Sequence, residues 1–372
     1  MRKINIWCVT VGCLLAGGSY AQQDPIFTHF SYNKLLYNPA YAGASDQFCL
    51  NAITHQQWRG YEDQTSTLKP VSGLPTSDKF AQNIGARTTG AAFSAPISIK
   101  VGENRLNIGG VFFGFMSDRI AYENNTFMRG GIAGAYTMAN GSSIRLGFDV
   151  TSLTKGLDGA GLRYHDPGDP YIPTGTVSDT KIAMGLGLYY SNPEILDGTY
   201  VGVSMQHLAP KTYVYGTGGS IKIETARHLY IVGGTKIDQF LSNPSLRLEP
   251  AVLLKTVVGA DGGLIKPQLD LQGMLTFNNL YAGGLNLRAY GYGVDAMSIM
   301  LGFYPPIAGN GAGSQQTLRV GYSYDIVLNR IRTTSWGTHE IQVNYCFNFS
   351  LPSRPPKIYR HPRWMQRNPN TD

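Results

Sequence analysis

The histidines, carboxylates and serines of this sequence are the residues best suited to chemistry, and their spacing decides what they could do. His339 and Glu340 are adjacent, like the His-Glu pair of zinc proteases. Those enzymes need a second histidine four residues after the first, on one face of a helix. Val343 occupies that position, and the pair begins a stretch with strand-like alternation. The spacing predicts that His339 and Glu340 cap a strand or pack within its wall.

Other catalytic arrangements are also missing from the sequence. No Gly-x-Ser-x-Gly elbow accompanies the seven histidines. The stretch Gly216-Thr217-Gly218-Gly219 is not followed by the Lys-Ser/Thr pair of a phosphate-binding loop. We therefore expect no enzymatic activity, no cofactor and no metal.

Cys49 and Cys346 lie near the same end of the first and last predicted strands, on the same face of each. Those strands become neighbours if the sheet closes into a barrel. A disulfide between the two cysteines is one candidate arrangement, although strand geometry restricts such bonds.

Charged residues of both signs recur on the face of the predicted strands that turns away from lipid. A channel that selects one sign of charge would need a ring of a single sign. The mixture favours paired wall charges, with or without a plug between them. The residues on this face are Arg145, Asp149, Arg247, Glu249, Lys255, Lys266, Asp270, Arg319, Asp325 and Glu340.

The first 21 residues are typical of an export signal. Arg2 and Lys3 precede an apolar run, and Ser19-Tyr20-Ala21 supplies small residues at a cleavage site. The mature chain is predicted to start near Gln22. Lipidation at Cys8 or Cys13 is the less favoured alternative, because the apolar run before either is short.

The remaining sequence contains no apolar run long enough for a membrane-spanning helix, so a membrane protein would have to be a closed β-barrel. The 45 glycines, 23 tyrosines and 15 phenylalanines, with only 15% charged residues, favour many strands, tight turns and aromatic girdles. A soluble secreted β-protein is the competing interpretation. The net charge of +7 is diffuse and does not indicate nucleic-acid binding.

Alternation of apolar and polar residues predicts a transmembrane antiparallel barrel over residues 46–349. It is clearest in residues 144–151 and recurs in 246–255, 267–275, 318–326 and 340–349. About fourteen segments are long enough to cross a membrane as tilted strands.

The predicted connections alternate in length, as expected of short periplasmic turns and long outer loops. Residues 139–141, 242–244 and 277–279 are tight turns, whereas 61–83, 156–177 and 209–225 are long. The Gly- and Pro-rich segment from Pro305 to Gln316 departs from the rule. Either the strand count slips there or that turn is special.

Residues 22–45 precede the predicted barrel. Asp24-Pro25 resembles a helix start, and Asn38-Pro39 would end the helix. We expect a short helix that either plugs the lumen or packs on the periplasmic rim.

Residues 350–372 form a basic, proline-containing tail, predicted to be periplasmic. It is either a disordered end or a docking segment for a periplasmic partner or for peptidoglycan.

Several stretches, in order along the chain, resemble the PorP/SprF family of outer-membrane proteins associated with type IX secretion and gliding motility. Because they occur in order across nearly the whole mature chain, chance similarity between barrels does not explain them. They are Asp24 to Thr28, Leu36 to Gly43, Gln56 to Gly60, Ser204 to Leu208, Arg227 to Tyr230, Glu249 to Lys255, Leu318 to Asp325 and Gly337 to Ile341. Family members often end soon after the last aromatic strand, so the tail is a departure.

The resemblance implies an outer-membrane component that helps to export or anchor a large surface adhesin and contacts periplasmic secretion components. From the predicted topology, long outer loops would meet the adhesin and the barrel surface would meet lipid and lipopolysaccharide. The residues proposed for periplasmic partners are Asn38, Pro39, Tyr41, Arg354, Lys357, Arg360, Arg363 and Trp364. The alternatives are an outer-membrane channel for small or hydrophobic solutes and a soluble β-rich enzyme.

Overall fold

Seventeen β-strands account for nearly all of the regular structure in this computed structural model. It describes residues 24–61, 84–102, 104–161, 173, 175–215, 221–259, 264–291, 293–307 and 316–348. The strands are β1 (Phe48–Gln56), β2 (Arg87–Val101), β3 (Asn104–Ile120), β4 (Glu123–Thr137), β5 (Ser143–Asp158), β6 (Thr176–Asn192), β7 (Thr199–Gln206), β8 (Thr212–Tyr215), β9 (Ile221–Glu224), β10 (Arg227–Gly234), β11 (Ile237–Asp238), β12 (Leu246–Val258), β13 (Leu264–Phe277), β14 (Tyr281–Tyr290), β15 (Gly293–Phe303), β16 (Gln316–Val327) and β17 (Thr338–Phe347).

Fourteen of these strands close into an antiparallel barrel. Each wall strand pairs with the wall strands before and after it in the chain, and β1 pairs with β17 to complete the circle. Strands β8 and β9 form a separate hairpin, and β11 adds two residues beside β12. Closure leaves the wall without a free edge. The predicted barrel of about fourteen strands is confirmed.

The alternation explains why these residues form the wall. In β5, Leu146 is 64% exposed on the outside, whereas Arg145 and Asp149 are buried inside. An apolar exterior around a polar interior is the arrangement that a lipid-embedded barrel requires. Most of the predicted inward charges occupy the lumen, while the side chain of Lys266 lies outside the described part of the chain.

The two ends of the barrel differ in their connections. Residues 138–142 and 278–280 are tight turns at one end, where Asn278 and Asn279 adopt the positive φ of a primed hairpin turn. We call this the short-turn end. The opposite, long-loop end carries the connections 57–86, 159–175 and 207–226.

The connection between β15 and β16, residues 304–315, does lie at the short-turn end, and the strand count does not slip there. It is a long connection at an end where most connections are short, and residues 235–245 between β10 and β12 are nearly as long. The reverse occurs at the long-loop end, where residues 121–122 alone join β3 to β4 and residues 291–292 alone join β14 to β15.

The predicted helix between Asp24 and Asn38 is mostly wrong. Only Lys34–Tyr37 is α-helical, and a 3₁₀ turn at Pro39–Tyr41 follows it. Asn38 caps that turn by accepting a hydrogen bond from the Ala40 N–H at 2.9 Å. Among the described residues, no helix has the length and apolar character needed to cross a membrane.

Candidate functional site

Residues 24–44, which we call the plug, lie inside the barrel rather than on its rim, and most of their side chains are buried. The plug begins toward the long-loop end, where Asp24 contacts His207 just after β7. It leaves at the short-turn end, where the Gly43 carbonyl accepts a hydrogen bond from Asn107 of β3 at 2.8 Å. The open question of plug or rim is thereby answered in favour of a plug.

Glu340 is the most heavily bonded contact between plug and wall. Its carboxylate accepts hydrogen bonds from the backbone N–H groups of Thr28 at 2.8 Å and of His29 at 2.7 Å. The Nδ1 atoms of His29 and of His55 on β1 lie 2.7 and 2.8 Å from the same carboxylate. The carboxylate is buried, so these contacts replace its lost hydration. Instead of entering a helix, the N–H groups of Thr28 and His29 bond to the wall.

A second charged network lies beside Thr28. The Thr28 hydroxyl donates to the carboxylate of Asp325, whose two oxygens lie 2.9 and 3.0 Å from it. Arg288 pairs with Asp270 at 2.8 Å and with Asp325 at 3.3 Å. All four side chains are buried, so the wall charges compensate one another around the plug. This agrees with the expected pairing of wall charges.

Asp24 anchors the start of the plug. Its carboxylate accepts a hydrogen bond from the Tyr230 hydroxyl at 3.1 Å and lies 3.2 Å from His207 Nε2. Asp24, His207 and His228 each offer one ligand-type atom, and the three atoms lie within 4.8 Å of one another, a set that zinc could use. The ammonium of Lys255, however, donates to the Asp24 carbonyl and would repel a cation. The arrangement therefore fits an anchor better than a metal site.

Wall glycines make room for the segment Asn38–Gly43. Gly147 on β5 and Gly187 on β6 are directly opposite each other in the sheet. A Cβ atom at Gly187 would lie 2.0 Å from Asn38 Oδ1, and one at Gly147 would lie 2.2 Å from the Ala40 nitrogen. Both distances are impossible contacts, so only glycine allows the plug to lie this close to the wall.

Two arginines bind carbonyl groups of the plug. Arg145 donates to the carbonyls of Ala40 at 3.2 Å and Ala42 at 2.6 Å. Arg129 donates to the Leu36 carbonyl at 2.6 Å. Because the plug has little regular structure, its buried carbonyls need partners outside the segment, and the wall supplies them.

Three of the predicted partner-contacting residues lie in the plug, and they differ in burial and position. Asn38 and Pro39 are buried against the wall, and Asn38 Nδ2 donates to the Leu188 carbonyl at 2.9 Å. With the plug in place, neither is accessible to a partner. Tyr41 lies at the short-turn end, with its ring 5.4 Å from that of Tyr189. The other predicted contacts lie outside the described residues, as do the export signal and tail: Arg354, Lys357, Arg360, Arg363 and Trp364.

Sequence reasoning missed the roles of Arg129, Gly147 and Gly187. The glycines did leave a signal, because each occupies an inward position within a regular strand. Glycine there indicates close approach by another backbone. Arg129 left no comparable signal.

Cys49 and Cys346 face each other directly in the pairing of β1 with β17, and a disulfide joins them. The bond closes a loop of 297 residues and links the first wall strand to the last. It lies toward the short-turn end, beside the point where the plug leaves the lumen.

The β8–β9 hairpin packs against the lumenal face of the wall at the long-loop end. Tyr213 and Tyr215 are buried against Leu153 of β5, and the Tyr213 hydroxyl donates to the Leu153 carbonyl at 3.4 Å. The hairpin and the plug therefore both occupy space that an open pore would need.

Comparison with protein families gives a match over almost the whole chain. The family described as type IX secretion system membrane protein PorP/SprF matches residues 19–345. The match spans both the plug and the wall. No curated protein matches the sequence.

Among solved structures the chain is similar to several barrels at low identity. A Pseudomonas aeruginosa FadL homologue has 12% identity and a TM-score of 0.41, over 88% of this chain and 94% of that one. The Ralstonia pickettii toluene transporter TbuX has 11% identity and a TM-score of 0.43, over 85% of this chain and 92% of that one. The β-domain of the Bordetella autotransporter BrkA has 10% identity and a TM-score of 0.39, over 82% of this chain and 99% of that one. Likenesses at this level assign no function.

Proposed function

The chain belongs to the PorP/SprF family of type IX secretion system membrane proteins, and from that premise we propose that it supports export or anchoring of a large surface adhesin. In this role the outer-membrane barrel also contacts secretion components in the periplasm. The role is one of binding and positioning, without catalysis.

The observation that carries the proposal is the family match over residues 19–345. The packed lumen supports it, because a barrel whose interior is bonded to its own N-terminal segment is better suited to holding partners than to conducting solutes. Outer-membrane barrels place short turns in the periplasm. The short-turn end is therefore the surface for periplasmic components, and the long-loop end is the surface for the adhesin.

A channel for small or hydrophobic solutes is the alternative. It would require the plug to leave its place in the lumen, breaking the buried contacts of Glu340, Asp325 and Arg145. The exterior of the barrel meets lipid and lipopolysaccharide in either case.

The test is deletion of the gene, followed by complementation with the full chain. We expect deletion to reduce surface display of the adhesin and gliding, and complementation to restore both. Mild-detergent purification of a tagged chain should also recover the adhesin or periplasmic secretion components at comparable abundance. Unchanged display after deletion would contradict the proposal, and solute uptake that depends on the gene would favour the channel.

A further inference from the structure

A polar cavity of about 540 Å³ opens at the short-turn end, between the plug and the wall. We call it the vestibule. Its size lies within the range of ligand-binding pockets. The residues that characterise it are Tyr32, Lys34, Tyr41, Tyr200, Lys236 and Arg319.

Lys34 lies in the floor of the vestibule on a layer of tyrosine rings. Its Nζ is 3.8 Å from the centre of the Tyr200 ring and 5.2 Å from that of Tyr41. Ring faces attract the ammonium and orient it without supplying a negative charge. Within the described chain, no carboxylate lies at ion-pair distance from this ammonium.

Arg319 is held in a similar way on the other side of the vestibule. Its guanidinium lies 5.4 Å from the Tyr32 ring and 5.5 Å from the Tyr304 ring. The described residues provide no carboxylate partner for it. Guanidinium has five donors in a planar fork that suits a carboxylate, so Arg319 is prepared for an anion that the described residues do not supply.

The charge balance of the floor is positive. Lys34, Lys236 and Arg319 are accompanied by one nearby carboxylate, that of Glu249, which accepts a hydrogen bond from the Tyr32 hydroxyl at 3.1 Å. Three further charged residues line the same cavity: Asp46, Arg145 and Asp197. The lining thus holds four basic and three acidic side chains, a net charge of +1, and Glu249 is the acidic group that acts on Lys34.

We propose that the vestibule binds an acidic peptide segment of a periplasmic partner, with carboxylates on Lys34 and Arg319 and the peptide lying along the tyrosine rings. The inference rests on the proposed function for the existence of such a partner. Tyrosine faces favour a peptide over a small inorganic anion because they offer amphipathic contact area. The chain's own tail is basic in sequence, so its charge is opposite to that of the proposed ligand.

The environment of Lys34 is consistent with this role. Burial first, and then the positive charges of Lys236 and Arg319 against the opposing charge of Glu249, lower the pKa of its ammonium to about 7. A bound carboxylate would offset that penalty. The acidic peptide would thus supply the carboxylate that no described residue places at ion-pair distance from Lys34.

The experiment measures binding of a fluorescent Glu-rich peptide to the purified full-length protein in detergent, by fluorescence anisotropy. The matched peptide has glutamine in place of every glutamate. We expect the Glu peptide to bind at least tenfold more tightly than the Gln peptide, and the Lys34→Met/Arg319→Met variant to lose that preference. Lys222→Met, which removes an exposed lysine at the long-loop end, is the control and should bind like the unmodified protein.

Equal affinity for the two peptides, or full affinity in the double variant, would overturn the proposal. Displacement of the Glu peptide by inorganic phosphate alone at similar concentration would also overturn it, because the vestibule would then be a simple anion site. Single Lys34→Met and Arg319→Met variants with normal thermal unfolding cover the case in which the double variant misfolds.

The outcome separates this inference from the proposed function. If gene deletion abolishes adhesin display but the Glu peptide does not bind, the vestibule is wrong and the function stands. If the peptide binds and deletion leaves display unchanged, the function is wrong while the site stands.

Discussion

Glu340 joins three parts of the molecule at one buried carboxylate. It belongs to the last strand, His55 belongs to the first strand, and Thr28 and His29 belong to the plug. A buried carboxylate is costly unless its charge is compensated by hydrogen bonds or opposite charge. The position of the plug and the ionised state of Glu340 therefore depend on each other.

Replacing Glu340 with glutamine should loosen the plug without opening the wall. The amide keeps one acceptor oxygen but turns an NH₂ donor toward groups that also donate, so we expect a loss of about 1–3 kcal/mol. Hydrogen exchange of Thr28 and His29, followed by mass spectrometry, should become faster. Glu194→Gln, at an exposed turn, is the matched control. Unchanged exchange in Glu340→Gln would mean that the plug is held elsewhere.

Binding of the acidic peptide should depend on pH through Lys34. Its pKa near 7 means that the ammonium is largely present at pH 6 and largely lost at pH 8, so affinity should fall as pH rises. The groups facing it are Tyr41 of the plug, Tyr200 of β7, Lys236 of the turn after β10, Glu249 of β12 and Arg319 of β16. Anisotropy titrations at the two pH values measure the change, and Lys34→Met should flatten it. A steep pH dependence that survives in Lys34→Met would assign it to another group.

At the scale of the elements, the wall strands could be predicted from sequence and the plug could not. Alternation in β5 or β17 reports a local condition, because each residue faces either lipid or lumen. The conformation of residues 24–33 depends on partners hundreds of positions away, such as Glu340. Local signals at Asp24-Pro25 favoured a helix start, but the N–H groups of Asp24, Thr28 and His29 are bonded to side chains of the wall.

Gly147 of β5 and Gly187 of β6 leave the space that the plug occupies, and substitution of one glycine by alanine tests this. Gly187→Ala would put a Cβ 2.0 Å from Asn38 Oδ1, so the plug must shift, at a cost of about 1–3 kcal/mol. Thermal unfolding followed by circular dichroism measures the loss. Gly134→Ala, on β4, meets no atom within 4 Å and should be neutral or slightly stabilising. Equal effects of the two changes would show that the loss comes from the strand and not from the plug.

At the scale of the whole molecule, the barrel is closed twice, by the pairing of β1 with β17 and by the disulfide between them. Cys346→Ser should lower the unfolding temperature, because the bond closes a loop of 297 residues in the unfolded chain. In the chain-entropy account a loop of this length gives about 6 kcal/mol, which is the upper limit of the effect. Thermal unfolding with and without reductant measures it. The reductant should shift the unmodified protein and leave Cys346→Ser unaffected; an equal shift in both would contradict the bond.

The last prediction concerns the occupied lumen, because an occupied lumen distinguishes a partner-binding barrel from an open channel. The plug occupies the lumen and the β8–β9 hairpin packs at its long-loop end, so the purified protein should show little steady conductance in planar lipid bilayers. The Gly147→Ala/Gly187→Ala variant adds two neighbouring methyl groups against residues 38–40 of the plug, which displaces the plug, and the variant should conduct, at least intermittently. Circular dichroism and the disulfide on a non-reducing gel establish that the variant has folded. Stable conductance of the unmodified protein would instead favour the channel, since it would mean that the plug leaves its seat without any change in sequence.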